Sequence, residues 1–264
     1  MRLVFIALVA LGLFSCGSTP LPRVGPATID DALSFIAEDP RNGGRHDWPL
    51  PMGYVALTNQ REGPNIGRQS WDFAPFGTFE PERGDGFQVV EVGGDGYVRF
   101  TSTRDGGTPW EQYFVGKNCG GTGWIVFGVD APSGSWREVV ARLSIAREPQ
   151  SCPRSLNYAL TRYRVETVTY PFALAAQRHV WRIRTVISEH FDNSTLAKAR
   201  ALERSYFGKG YGLLRWEAWA PQPPRVSDLP QRCTPLDFSS PPASGWQLQD
   251  CRMYTNASIP SASQ

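Results

Sequence analysis

In three late segments of the chain, side chains change chemical character at every residue. Across "LTRYRVETVTY", Tyr163, Val165 and Thr167 share one side, and Arg162, Arg164 and Glu166 share the other. Across "HVWRIRTVISEHF", Trp181, Ile183, Thr185 and Ile187 oppose Arg182, Arg184, Ser188 and His190. Across "LLRWEAW", Leu214, Trp216 and Ala218 oppose Leu213, Arg215, Glu217 and Trp219. A period of two suits strands with one dry face and one wet face, so the chain is expected to be mainly antiparallel β. The composition agrees: 9 Trp, 9 Tyr and 14 Phe stand beside 26 Gly and 22 Pro, the mixture of strand and turn formers.

The expected architecture is a single β-rich domain over 28–264, an antiparallel β-sandwich or partly open barrel with two or three peripheral helices. One helix is predicted at "TIDDALSFIAED", where Thr28 and Asp31 open an apolar 3.6-residue pattern. A second is predicted over 136–146, from Ser135 and Glu138 as a capping box and Trp136, Val139, Val140 and Leu143 on one face. A third, shorter one fits 194–204. Gly93-Gly94-Asp95-Gly96 reads as a hairpin turn between Phe87–Val92 and Tyr97–Ser102, with further strands near 110–115 and 124–129. Between Arg41 and Phe79, glycine, proline and asparagine argue against any long regular element.

Cys119, Cys152, Cys233 and Cys251 form an even set that fits two disulfides in an exported protein. Three connectivities are open, and loop closure favours Cys119 with Cys152 and Cys233 with Cys251. The second pair would staple a proline-rich C-terminal flap over 221–254. No two of these cysteines have zinc-knuckle spacing and the 3 histidines are scattered, so no metal and no cofactor is expected.

The chain starts Met1-Arg2 and runs apolar from Leu3 to Phe14, short of the ~20 residues a membrane-spanning helix needs, which suits a signal peptide over 1–15. Leu13-Phe14-Ser15-Cys16 resembles the lipobox of bacterial lipoproteins. That resemblance implies acylation of Cys16, a tether over 16–27 and attachment to the cell envelope. Gly17 in place of aspartate points to the outer membrane, and a secreted or periplasmic protein is the alternative. The net charge of +2, without a lysine run, gives no nucleic-acid footprint.

"SYFGKGYGLLRWEAW" (205–219) invites comparison with a phosphate-binding loop, but a strand pattern follows its glycines where such a loop needs a helix. It reads as a glycine-rich turn or bulge between two strands. It resembles glycine-rich strand pairs of exported bacterial β-proteins, a likeness that implies no site residues.

If the three alternating segments share a sheet, Arg162, Arg164, Arg182, Arg184 and Arg215 gather against Glu166 and Glu217, with His190 and Trp219 at the margin. Interleaved cross-strand pairs on a wet face explain such a set. Its functional counterpart is recognition of an acidic polysaccharide or envelope glycan by guanidinium forks beside an aromatic ring. A carbohydrate-active enzyme, a uronate lyase or glycoside hydrolase, is the rival, with Glu217, Glu166 and His190 as the catalytic candidates. Neighbouring arginines would lower a carboxyl pKa and spoil a general acid, so the reading leans away from an enzyme. A structural or lipid-handling envelope component is the third class.

Overall fold

The computed structural model describes residues 29–37, 39, 54–73, 86–104, 111–116, 119–146, 152–174, 177–223, 236 and 239–253. The signal peptide, Cys16, the tether and Cys233 lie outside the described residues, as does much of the flap. One helix, α1 (Ile29–Ile36), precedes β1 (Tyr54–Arg61), β2 (Ile66–Phe73), β3 (Gly86–Val92), β4 (Tyr97–Arg104), β5 (Glu111–Tyr113), β6 (Val115–Gly116) and β7 (Gly121–Thr122). Then follow β8 (Trp124–Gly128), β9 (Arg137–Leu143), β10 (Ile145–Ala146), β11 (Asn157–Leu174), β12 (Gln177–Phe191), β13 (Leu202–Gly208), β14 (Gly212–Ala220) and β15 (Gln247–Met253). The protein is mainly β, and its named strand pairs are antiparallel.

A 7-stranded sheet runs β1-β2-β3-β4-β5-β10 with β8 also on β4, a 6-stranded sheet runs β15-β14-β13-β12-β11-β9, and β6 pairs with β7. Neither large sheet closes into a barrel. Their apolar faces meet: Val90, Val92, Val98 and Phe100 of the first share a cluster with Tyr163, Val165, Val186, Phe207 and Leu213 of the second. Leu33, Phe35 and Ile36 of α1 complete it, with Phe35 edge-on to Phe127 at 6.2 Å. Each such side chain contributes roughly 1.5–3 kcal/mol by leaving water. The helix can lie close to β2 because position 67 is glycine; a Cβ there would meet Ile36 Cγ2 at 2.7 Å.

The hairpin around Gly93–Gly96 forms as the sequence predicts, with Gly96 at φ 83°. So does the glycine-rich turn between β13 and β14, where Gly210 (φ 80°) and Gly212 (φ 69°) take the left-handed conformation.

Three expectations are corrected. The segment 41–79 contains β1 and β2, an antiparallel hairpin with a bulge between Tyr54 and Leu57; its Gly63-Pro64 falls in the turn between them. The helix expected over 136–146 is strand β9 followed by β10. Its apolar residues fit both periods, and pairing with β11 decides for the strand, burying Val139 and Ala141. The helix expected over 194–204 is a single 3-10 turn, Leu196–Lys198, before β13 begins. Leu196, Ala199 and Leu202 are still apolar anchors, packed in one cluster with Phe191, Trp219 and Trp246.

Cys119 and Cys152 are bonded, 33 residues apart in sequence. Cys251 is disulfide-bonded as well; its expected partner, Cys233, lies outside the described residues. A loop the size of the Cys119–Cys152 one restricts the unfolded chain by about 3–4 kcal/mol. The double variant Cys119→Ser/Cys152→Ser is therefore expected to lose that much in urea denaturation, and a midpoint equal to the parent's would show that the cross-link does not restrain the unfolded state.

Candidate functional site

The second sheet carries a charged ladder on the face turned away from the first sheet. Register puts Arg162 opposite Glu189, Glu189 opposite Arg204, and Arg204 opposite Glu217, so that four neighbouring strands contribute one alternating row. Arg162 Nε donates to Glu189 Oε2. Arg204 donates through Nε (2.8 Å) and Nη2 (2.5 Å) to Glu189 Oε1, and through Nη1 (3.2 Å) to Glu217 Oε2. In the next row Arg164, Ile187, Tyr206 and Arg215 stand opposite one another.

Glu217 is the hub. It accepts from Arg215 Nε (2.5 Å), Tyr206 OH (2.9 Å), Trp219 Nε1 (2.9 Å), Arg204 Nη1 (3.2 Å) and Ser239 Oγ. Burial alone would raise its carboxyl pKa, but Arg215 and Arg204, helped by the Ser239 and Trp219 hydrogen bonds, outweigh it and hold the group below its ordinary value of 4.5. Glu217 is therefore a fixed anion, unsuited to donate a proton. For Arg204, burial opposes the charge while Tyr206, Glu189 and Glu217 favour it, and the net direction is upward.

The row is dry. Glu189 and Glu217 are fully buried, and Arg204 and Arg215 nearly so. Apolar clusters flank it at both ends, Phe191, Leu202, Trp219 and Trp246 on one side and Val168, Tyr170, Ile183 and Leu214 on the other. The C-terminal segment covers it: Ser240 O accepts from Arg204 Nη1 at 2.8 Å, and Pro242 O accepts from Arg162 Nη2 at 3.2 Å.

The cover is incomplete at one corner. A cleft of ≈ 140 Å³ opens there, lined by Trp136, Arg162, Arg164, Glu189, Arg204 and Ser240–Pro242. Two guanidiniums lie over the Trp136 ring, Arg164 at 4.2 Å and Arg162 at 4.6 Å from its centroid. Arg164 Nε is 3.0 Å from Glu166 Oε1 but out of line for a hydrogen bond, so that buried N–H has no acceptor. No protein-family model, curated protein or solved structure matches this chain.

The structure regroups the residues singled out in the sequence. β11, β12 and β14 do share one sheet, and Arg162, Arg164, Arg215, Glu166, Glu217 and Trp219 do share one of its faces. Arg182 and Arg184 do not join them; they stand exposed on the opposite face. The open docking surface of five arginines is thus corrected to a covered ion network, because Arg215, Glu217 and Trp219 point inward beneath the C-terminal segment.

A bulge is the local reason for the inversion at β14. Tyr206 stands opposite Arg215 but Phe207 opposite Leu213, which turns Leu214 to the same side as Arg215 and sends Leu213 into the core between the sheets. Trp216 and Ala218, the expected core pair, are only half-buried.

The catalytic candidates separate in the same way. β12 and β13 lie between Glu166 on β11 and Glu217 on β14, and three strand spacings amount to about 14 Å, beyond the reach of paired glycosidase carboxyls. His190 is inside the molecule, edge-on to Trp124 at 5.3 Å and Phe100 at 6.2 Å. The Ser188 hydroxyl donates to Val126 O, so its oxygen accepts from His190 Nε2 at 2.8 Å. Burial pushes the imidazole pKa down to about 3, and the ring is neutral.

Trp136, Glu189, Arg204, Tyr206 and Ser239 are part of this site, and none of them is among the residues the sequence singles out for it. Glu189 was legible as pointing away from His190, since consecutive strand residues face opposite sides. Arg204 was hidden by the helix expected there, and Trp136 by the helix expected over 136–146.

Proposed function

We propose that this chain is an exported envelope lipoprotein whose cleft at Trp136, Arg162 and Arg164 receives the carboxylate of an acidic glycan. The two facing sheets are read as a β-sandwich, and the ion network on the outer face of one of them as the rigid floor of the cleft. The observation that carries the reading is the pair of guanidiniums over Trp136 at a cleft that opens onto the charged row among the described residues.

Size narrows the ligand. At ≈ 140 Å³ and partly open, the cleft is smaller than the roughly 300–1,000 Å³ of pockets that enclose a whole small ligand, which suits a carboxylate seated inside with the rest of the sugar outside. Arg162 is held on Glu189 and Pro242, so it presents a preset charge; Arg164, half-buried and beside Glu166, lines the same cleft with its guanidinium. Glycan chains would then bind by one uronate at a time, with the rest of the polymer outside.

The test is retention on immobilised polyuronate against a neutral glycan. Arg164→Gln is expected to weaken retention about tenfold, the worth of one charge-assisted contact, while leaving thermal unfolding within about 1 kcal/mol of the parent. Equal retention of parent and variant, or equal retention on the neutral glycan, would remove the proposal.

A further inference from the structure

Arg182 and Arg184 belong to a different surface, and the architecture of the β11–β12 hairpin explains why. Register runs without interruption from Thr161↔His190 to Leu174↔Gln177. β9 pairs with β11 only up to Tyr163, and β13 pairs with β12 only from Thr185. From Glu166 to Leu174 the hairpin therefore continues for about 30 Å as a two-stranded ribbon without a neighbouring strand among the described residues.

One face of this ribbon is packed: Val168, Tyr170 and Ile183 are buried, and the Tyr170 hydroxyl donates to Leu214 O. The other face continues the side of β12 that carries Val186, Ser188 and His190 in the core, but here it is open. Thr167, Thr169, Val180, Arg182 and Arg184 are all exposed, Val180 to 53%. Pairing sets Thr167 beside Arg184, Thr169 beside Arg182 and Pro171 beside Val180.

Along this face the chemistry is graded: two guanidiniums nearer the body, then Val180 and Pro171 farther out. Among the described residues neither Arg182 nor Arg184 has an ion pair or side-chain hydrogen bond, whereas the neighbouring Lys209 is neutralised by Asp31 at 2.5 Å. The Lys209 backbone donates to Arg184 O at 2.8 Å, which keeps the ribbon root against the turn.

We infer that this open ribbon face docks on an anionic lipid surface, Arg182 and Arg184 meeting lipid phosphates and Val180 entering the acyl boundary. Two residues of strand separate Val180 from Arg182, about 7 Å, which falls within the 5–10 Å over which a bilayer interface changes from headgroup to hydrocarbon. A polyanion in solution matches the two charges but offers nothing for the exposed valine. The inference is independent of the cleft, whose arginines lie on the opposite face of the same sheet.

Vesicle flotation of the purified Cys16→Ser chain, which takes no acyl group, tests it with phosphatidylglycerol-rich against pure phosphatidylcholine vesicles. Binding is expected to favour phosphatidylglycerol. Arg182→Gln/Arg184→Gln should reduce it about 25-fold, at about fivefold per arginine near a charged surface. Val180→Asp should reduce it as well, with the circular dichroism of both variants unchanged. Arg164→Gln, which disables the cleft, should partition like the parent, so this proposal and the glycan-binding one fail separately. Equal partitioning of parent and double-arginine variant, or no preference between the two vesicles, overturns the inference. So does loss in that variant of retention on soluble polyuronate in place of vesicle binding, or of self-association measured by sedimentation.

Discussion

Glu217→Ala is expected to destabilise the protein by about 3–5 kcal/mol in chemical denaturation, the cost of breaking a buried ion network from one side. The carboxylate receives five donors, from Arg204, Tyr206, Arg215, Trp219 and Ser239. Arg215 is only 1% exposed and Arg204 3%, so water cannot replace the lost anion without opening the covering segment. Arg204 keeps Glu189, which limits its share of the damage. Arg215 loses its short contact to the carboxylate as well. Glu217→Gln preserves the shape and one acceptor, and should cost roughly half as much because the charge is still lost. An alanine variant within 1 kcal/mol of the parent would mean that solvent reaches the row, contrary to its burial. The carboxylate also makes stability pH-dependent: its folded pKa lies below the ordinary 4.5, so its contribution is present above that value and disappears as pH falls through the folded one.

Acid should unfold the protein starting at a higher pH than the carboxylates alone explain, because of His190. Its pKa falls from 6.5 to about 3 on folding, the group being buried among Phe100, Trp124 and Ser188. The unfolded chain takes up a proton near pH 6.5 and the folded one does not. Stability associated with the neutral ring is therefore complete above pH 6.5 and is lost between pH 6.5 and about 3, on the order of 4–5 kcal/mol over the window. Urea midpoints measured from pH 7.5 to 4 should decline in the parent. His190→Gln should be weaker at neutral pH yet flatter over the same range. A slope above pH 5 that survives in the variant would place the titrating group elsewhere, since Glu217 acts only at lower pH.

Much of the secondary structure was legible because it depends on local facts. The alternation in 160–170 and 179–191, the glycines at 93–96 and 208–212, and the apolar spacing after Asp30 each describe a strand, a turn or a helix by themselves, and β11, β12, both hairpin turns and α1 followed. The failures came where two periods fitted equally. Val139, Val140 and Leu143 fit a helix face while Val139, Ala141 and Leu143 fit a strand face, and β11 supplied the partner that settled the choice.

Which face of a strand is inside was another matter. Arginine and glutamate were assigned to solvent by their transfer cost, yet Arg162, Glu189, Arg204 and Glu217 stand in one row, each charge next to its opposite, and can be buried because they satisfy one another. Pairing of that kind arises from the order of four strands, which no single strand encodes. Nor does a strand encode where its neighbours end: Arg184 and Val186 lie on the same side of β12, one exposed and one in the core, because the cover stops between them.

The sequence by itself determined a β-rich chain, the glycine-rich turns at 93–96 and 208–212 and the alternation of β11 and β12, since those follow from backbone sterics and the two-residue repeat. Only the tertiary structure decided which side is dry, which charges meet and which arginines remain free. Burial and ion pairing depend on strands and a covering segment that lie as far as 80 residues apart in the chain, and the energy of a buried charge is set by those neighbours and not by its own position in the sequence.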